Sequence, residues 1–458
     1  MKTTDILRSL REAIVTMLAM IATLACALAI DPEPGPAILA VVLCLSLSRS
    51  HLDRDLRGRL EAALALPLVG IVAVGVGMLL LLAPWLGAFV FVTSMFVSIW
   101  LRRFGPMAGR AGSLIALPFV TLLTTPYVPS THLGPWMTLL MPIVGALLAL
   151  VWVSVFHATA RRLRILPPVK MAAQAAPSSA PKAESSLRPD ATTRMAIQMA
   201  VALGLSFVIG YVFFPGRWAW IVLTAFIVGS GNRGRLDVAY KSVLRVLGAA
   251  AGTLVALGFS ARLGAHDSTT VVLMLTTIFF GTWLRPLGYA WWAFFVTLAL
   301  ALLQDYTGAQ AQYLLWPRLE EIVIGALIGV AAAWFVLPVR STAVLRRRIA
   351  DALALLSEAL DPAAPTQTSE EFALAVGRVE EVAPAFRASR RMTRRYRPVQ
   401  PADWIDALSA CREPASAIID ARTASVAVRK AVGSARKALR EPDQIAAALD
   451  ELRRALAP

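Results

Sequence analysis

The feature that most limits what this chain can become is a succession of apolar runs, each long and almost free of charge. They fall at roughly 13–30, 36–48, 63–83, 85–101, 112–127 and 135–156, then at 195–214, 218–231, 243–260, 269–284, 287–304 and 319–338. Most reach the ~20 residues of helix that cross a ~30 Å hydrocarbon core. Lipid offers the backbone no hydrogen bonds, so runs of this length are read as helices. Of the 458 residues, 57% are hydrophobic and 16% charged, too little charge to cover a water-exposed surface of this size. The expected fold is all-α: a polytopic membrane protein of about twelve transmembrane helices. Lys2, Arg8 and Arg11 ahead of Ala13–Ile30 have the flavour of a secretory signal. Eighteen apolar residues exceed the 7–15 of a signal core, so this segment is expected to stay as a span.

The net charge of +16 is distributed by side. Up to Arg285, loops on one face of the twelve-span reading hold 22 Lys and Arg; those on the other hold Arg217, Arg262 and Arg318. Cytoplasmic loops hold such an excess, so both termini are expected in the cytoplasm. The excess is thus anchoring charge beside the lipid bilayer. No nucleic-acid partner is expected, since neither a readable fold nor interleaved aromatic residues accompany it.

Three matches recur at nearly one offset. Arg11-x-Ala13-Ile14 returns as Arg194-x-Ala196-Ile197, and Trp100-Leu101-Arg102-x-Phe104-Gly105 as Trp283-Leu284-Arg285-x-Leu287-Gly288, both 183 residues on. Val144-Gly145-Ala146-Leu147 returns as Ile324-Gly325-Ala326-Leu327, 180 residues on. Chance similarity among Leu/Ala-rich runs would scatter the offsets. Six spans per copy is even, so the copies are expected to be parallel repeats, with substrate near their interface. The domains read as 1–165, a first six-helix repeat; 166–192, a flexible cytoplasmic linker centred on AAQAAPSSAPKAESS; 193–340, the second repeat; and 341–458, a cytoplasmic helical domain. In that last stretch 19 Lys/Arg and 15 Asp/Glu surround helical stripes. They are Leu345, Ile349, Leu353, Leu356 and Leu360; Phe372, Val376, Val379 and Phe386; Trp404, Leu408 and Cys411; and Ile445, Leu449, Leu452 and Leu456. These helices pack on each other or on a second subunit. Arg387, Arg390, Arg391, Arg394, Arg395 and Arg397 form the one strong charge cluster, read as a solvated or lipid-facing surface.

Nothing resembles a catalytic constellation. His51, His132, His157 and His266 lack Cys or carboxylate partners at metal spacing, and Cys26, Cys44 and Cys411 are scattered. A GxxxxGK[ST] loop is missing, so ATP-driven transport has no support. An enzyme, a metal and a cofactor are all unexpected. The informative polar residues are arginines. Arg245 is expected to open a span at the cytoplasmic boundary, while Arg102 and Arg285 end spans two residues after Trp100 and Trp283. A guanidinium grips a carboxylate bidentately and an indole offers a stacking face, so Arg with Trp suits an aromatic carboxylate. Ordinary anchoring is the plainer reading of each arginine alone.

Span length gives a second pointer. Pro36–Ser48 and Trp218–Ser230 have only about thirteen apolar residues each and follow Pro34-Gly35 and Pro215-Gly216. Paired short, Pro/Gly-interrupted spans mark transporter sites, though a tilted or water-lined helix gives the same pattern. Gly248/Gly252 and Gly325/Gly329 are GxxxG pairs expected to pack helices closely. Asp305, Glu320 and Glu321, near span ends, are the acids that could couple protons.

One stretch also has a family likeness. Trp220, Thr224, a polar loop and then Arg245-x-x-Gly248-x-x-x-Gly252-Thr253 resemble the core signature of the fusaric-acid-resistance family of aromatic acid exporters. Ala249 stands where that family has Thr. The first half has Leu39 and Leu43 in place of Trp220 and Thr224. The resemblance implies a multi-pass protein of the bacterial inner membrane that exports aromatic carboxylic acids or similar toxic organic anions on the proton gradient. Trp220, Thr224, Arg245, Trp100, Arg102, Trp283 and Arg285 would bind the anion. The protein partner expected is a second copy or a periplasmic adaptor subunit. The architecture is also similar to plant aluminium-activated malate channels, six spans with a cytosolic helical domain, acting as dimers. An organic-anion channel, or a membrane scaffold, is the alternative to an exporter.

Overall fold

The computed structural model describes residues 3–50, 56–105, 112, 123, 135–166, 189–260, 267–306, 311–361, 368–396 and 399–456. The linker at 172–186, most of the run at 112–127, His51, His132, His266, Arg262 and Arg397 lie outside the described residues, as does the side chain of Asp305. Among the described residues the chain is helical and has no strand. Five helices are long and apolar enough to cross a membrane: Ile6–Ile30, Pro84–Phe104, Leu140–Arg162, Ala191–Phe213 and Arg235–Phe259. Shorter apolar helices accompany them, so among the described residues the count of spans by length alone is five where the sequence predicts twelve.

The chain divides into two compact units. The first, over 1–170, 189–230 and 241–337, is apolar. Its helices are α1 (Thr3–Ile30), α2 (Pro34–Ser50), α3 (Leu56–Leu82), α4 (Pro84–Trp100), α5 (Pro135–Arg162), α6 (Ala191–Phe213), α7 (Ala219–Gly229), α8 (Arg235–Ser260, from Lys241 on), α9 (Ser268–Trp283), α10 (Tyr289–Tyr306) and α11 (Ala311–Phe335). Their starts follow local chemistry. Pro84 occupies the first turn of α4, where its missing N–H costs nothing. Asp190 and Asp267 cap α6 and α9 by accepting from the Thr192 and Thr269 amides at 2.6 and 2.9 Å. The end of α11 is capped from another helix: the buried Gln198 amide donates to the carbonyls of Val336 and Leu337.

Two helix pairs within this unit meet through specific contacts. Helix α4 meets α6 through Trp85–Tyr211 and Phe91–Phe207, with ring centroids 5.1 and 5.5 Å apart. The Tyr211 hydroxyl donates to the Pro84 carbonyl at 3.1 Å. In turn α1 meets α9: the Ser9 hydroxyl donates to the Trp283 carbonyl at 2.8 Å. Leu275 and Ile278 pack on the core that holds Ala19, Met20, Leu43 and Val153. Likewise α2 lies against α5 and α7 against α11, each through a glycine. A Cβ on Gly145 would stand 3.1 Å from that of Ala40, and one on Gly325 would stand 2.4 Å from the Ile221 carbonyl oxygen.

The second unit covers 231–240 and 338–458 among its described residues. Its helices are α12 (Ser341–Ala359), α13 (Ser369–Glu380), α14 (Ala383–Thr393), α15 (Pro401–Ala410), α16 (Arg412–Ala421), α17 (Val426–Ala438) and α18 (Ile445–Leu456). Thr368 and Glu371 form a capping box that starts α13. Every apolar stripe read from the sequence here lines one core, from Leu345 and Ile349 through Phe372 and Trp404 to Leu452 and Leu456. The helices satisfy each other's apolar faces.

Candidate functional site

Helix α7 is short because Pro215, Gly216 and Arg217 precede it and Ser230 and Gly231 follow. Its 11 residues span about 17 Å at ~1.5 Å per residue. From Trp220 to Val228 every side chain is buried, so this helix is wrapped on all sides. Within it Thr224 is the one polar side chain, and its hydroxyl has no hydrogen-bond partner among the described residues.

Arg245 does not open a span. Helix α8 begins at Arg235, placing Arg245 about 15 Å along the axis. The segment from Arg235 to Leu244 mixes apolar Leu236, Val238 and Val243 with its charges, and that amphipathic stretch extends the helix beyond the run read from hydropathy. Arg245 is completely buried. Its Nη1 donates to the Thr297 hydroxyl at 3.1 Å, and that hydroxyl donates to the Ala293 carbonyl at 2.8 Å. Its Nε and Nη2 find no hydrogen-bond partner among the described residues.

The spacing Arg-x-x-Gly-x-x-x-Gly explains how the guanidinium gets there. Residues 245, 248 and 252 lie on one face of α8. A Cβ at Gly248 would meet the Ala293 Cβ at 2.8 Å, and one at Gly252 would meet the Phe294 carbonyl oxygen at 2.6 Å. The glycines therefore bring α10 hard against this face, and the arginine one turn earlier is enclosed with Thr297.

A second charged cluster sits at the start of α7. The Arg318 guanidinium lies over the Trp220 ring, 4.5 Å from its centroid, and is 2% exposed. Glu321, 1% exposed, forms an ion pair with Arg217 at 3.4 Å. Of the other candidate acids, Glu320 is exposed. One turn along α7, a Cβ on Gly325 would come within 2.9 Å of the Thr224 Cβ, and Gly329 faces Val228. Arg318 escapes sequence reasoning because one arginine near a span end reads as an anchor. The signal was Arg318-x-x-Glu321, opposite charges on one face of an otherwise apolar stretch.

The two Trp-Leu-Arg units build the same turn twice: a helix ending at Trp, a 3-10 turn, then a glycine, Gly105 or Gly288. Arg102 and Arg285 are exposed there. The guanidinium over Trp100 is that of Arg103, at 5.3 Å. Trp283 packs on Phe279 and Phe280. No hydrogen bond or ion pair among the described residues joins Arg102 or Arg285 to Arg245.

Residues 202–332 match the family model described as fusaric acid resistance protein-like. That stretch contains both arrangements whole: Arg245 with Thr297, and Trp220 with Arg217, Arg318 and Glu321. The matched region, in a chain with apolar helices long enough to cross a bilayer, is that of a membrane protein and is consistent with a transporter. Comparison with curated proteins and with solved structures gives no match.

Proposed function

We propose that this chain is a secondary transporter of the inner membrane that exports aromatic carboxylic acids or similar organic anions from the cytoplasm, driven by the proton gradient. One observation carries the reading: a fully buried guanidinium inside an apolar helix, with two donors unmet. An isolated buried charge is costly and is kept where it is paired or used. Arg245 has the Thr297 hydroxyl and no described carboxylate, so an arriving organic anion supplies the missing charge. A carboxylate would accept from Nε and Nη2 in the two-pronged manner that an ammonium cannot copy. Trp220 and Thr224 supply a ring and a hydroxyl in the same matched region. Arg102 and Arg285, with Trp100 and Trp283, would draw anions to the cytoplasmic mouth.

Glu321 is the coupling acid in this scheme, because it is buried and lies beside both Arg217 and Arg318. The mirrored contacts, α4 on α6 and α1 on α9, together with the Gly145 and Gly325 contacts, support two parallel repeats. The second unit would face the cytoplasm.

The test is binding and flux of an aromatic carboxylate with the purified full chain in proteoliposomes. Arg245→Gln should weaken binding about 10- to 100-fold, the loss of a charge-assisted interaction of roughly 1.5–3 kcal/mol, and Arg245→Lys should recover only part. Glu321→Gln should abolish the pH-gradient dependence of flux. Unchanged binding in a well-folded Arg245→Gln protein would sink the site. Flux that follows voltage and ignores the pH gradient would favour the channel.

A further inference from the structure

Helix α14 ends in a half-open pocket of about 350 Å³ lined by Arg387, Arg390, Arg391 and Arg394. Two of these arginines are pinned. Arg387 donates from Nε and Nη2 to one Asp406 oxygen, at 3.1 and 2.6 Å. Arg390 Nη1 donates to Asp403 and to the other Asp406 oxygen, at 2.6 and 2.8 Å. Asp403 is itself fixed, since its second oxygen accepts from the Gln400 amide at the start of α15. Arg391 and Arg394 are exposed and have no acidic partner among the described residues.

Four guanidiniums therefore face two carboxylates around one concavity. The spacing makes this arrangement unfavourable by itself. Arg387/Arg391 and Arg390/Arg394 are like-charge pairs four residues apart, which destabilise a helix. The helix C-terminus contributes only about half a negative charge in return. Meanwhile the pinned pair leaves Arg387 Nη1 and Arg390 Nε and Nη2 outside the aspartate contacts. The aspartates thus hold the inner arginines in fixed orientation, and the outer two supply uncompensated charge.

We propose that this pocket binds a phosphate-type oxyanion. The surplus of about two positive charges matches a phosphate's roughly −1.5 to −2, and converging guanidiniums provide more donors than a single carboxylate can accept. Two sources offer that chemistry: a soluble phosphate compound, or the headgroup of an anionic lipid. Met392 and Tyr396 stand exposed in the same segment, the company that interfacial arginines keep at a membrane surface.

The experiment uses the full chain in neutral detergent and in phosphatidylcholine nanodiscs. Inorganic phosphate is added at constant ionic strength, with chloride as reference, and phosphatidylglycerol is incorporated into a second set of discs. Thermal unfolding and amide exchange across 387–396 are followed. Phosphate alone should raise the unfolding midpoint if the ligand is soluble; protection confined to phosphatidylglycerol discs would identify the headgroup. Arg391→Gln with Arg394→Gln should weaken the response at least tenfold, and the paired Lys substitutions should retain part of it. Arg429→Gln with Arg440→Gln, which removes equal charge from exposed positions elsewhere, should leave the response unchanged. Silence towards both probes would overturn the proposal. So would an equal loss in the control pair, which would mean a diffuse field.

Discussion

The close contact between α7 and α11 offers a sharp test of how the first unit packs. At Gly325 a Cβ would sit 2.4 Å from the Ile221 carbonyl oxygen and 2.9 Å from the Thr224 Cβ. Neither neighbour is a flexible side-chain tip; one is backbone. Ordinary contact begins near 3.4 Å, so Gly325→Ala must push α11 and α7 apart by roughly 1 Å, an overpacking cost of about 1–3 kcal/mol. Gly204, in α6, provides the contrast, with nothing within 4 Å of its would-be Cβ. There alanine should stabilise by about 0.5–1 kcal/mol, since it only restricts the unfolded chain and favours helix. Gly145 lies between them, its Cβ meeting a methyl at 3.1 Å. With an unfolding entropy of about 2.1 cal/mol/K per residue, each kcal/mol moves the midpoint by roughly 1–2 °C for a chain this size. The three alanine variants, purified in one detergent and melted side by side, should therefore rank Gly204→Ala above the parent, Gly145→Ala slightly below, and Gly325→Ala lowest. Equal midpoints for Gly325→Ala and Gly204→Ala would refute the close approach of α7 and α11, and with it the enclosure of Thr224.

Burial pushes the Asp406 carboxyl up, but hydrogen bonds from Arg387 and Arg390 outweigh it and hold the group below the usual carboxylate range. A depressed folded value means the stabilisation is present above the unfolded value of ~3.9 and is lost as pH falls through the folded one, so melting between about pH 6 and pH 3 should show an acid limb that Asp406→Asn lacks. Burial raises the Cys411 thiol to about 11, so a maleimide at about pH 8 should label it only after unfolding; prompt labelling of the native chain would contradict its place in the core.

The second unit was the more legible half. Its surface is polar, so the apolar stripe of each helix stands out against charge, and residues from Leu345 to Leu456 fell where a 3.6-residue period put them. In the membrane unit that contrast vanishes, because lipid-facing and core-facing positions are equally apolar. Leu247 and Leu254 of α8 are exposed while Ala249 and Ala256 are buried, an ordering set by size. Helix ends suffered most: hydropathy begins α8 near residue 243, eight residues past its start at Arg235, and so reads Arg245 as the residue that opens it. The small-residue pattern was readable, since Gly248, Gly252 and Gly325 lie at close helix contacts. Which buried cation meets which ring was not, because the partnership of Arg318 with Trp220 spans 98 residues and depends on how α7 sits against α11.

The two halves differ in a way that predicts stoichiometry. On the proposed repeat they share a frame: Gly145 approaches Ala40 and Gly325 approaches Ile221, about 180 residues on. The polar chemistry is not shared. Leu39 and Leu43 stand where the second half has Trp220 and Thr224. Offsets of 181–183 put the counterpart of Arg245 among Ala62, Ala63 and Leu64. If the proposed repeat carried the site in both copies, each chain would bind two carboxylates; with Arg245 lacking a counterpart, the proposal predicts one. Equilibrium dialysis of an aromatic carboxylate against the purified chain should saturate at one equivalent, and Arg245→Gln should remove it. Two equivalents, or one that survives Arg245→Gln, would shift the site to Arg318 and Trp220, a buried cation–ring pair in the matched region.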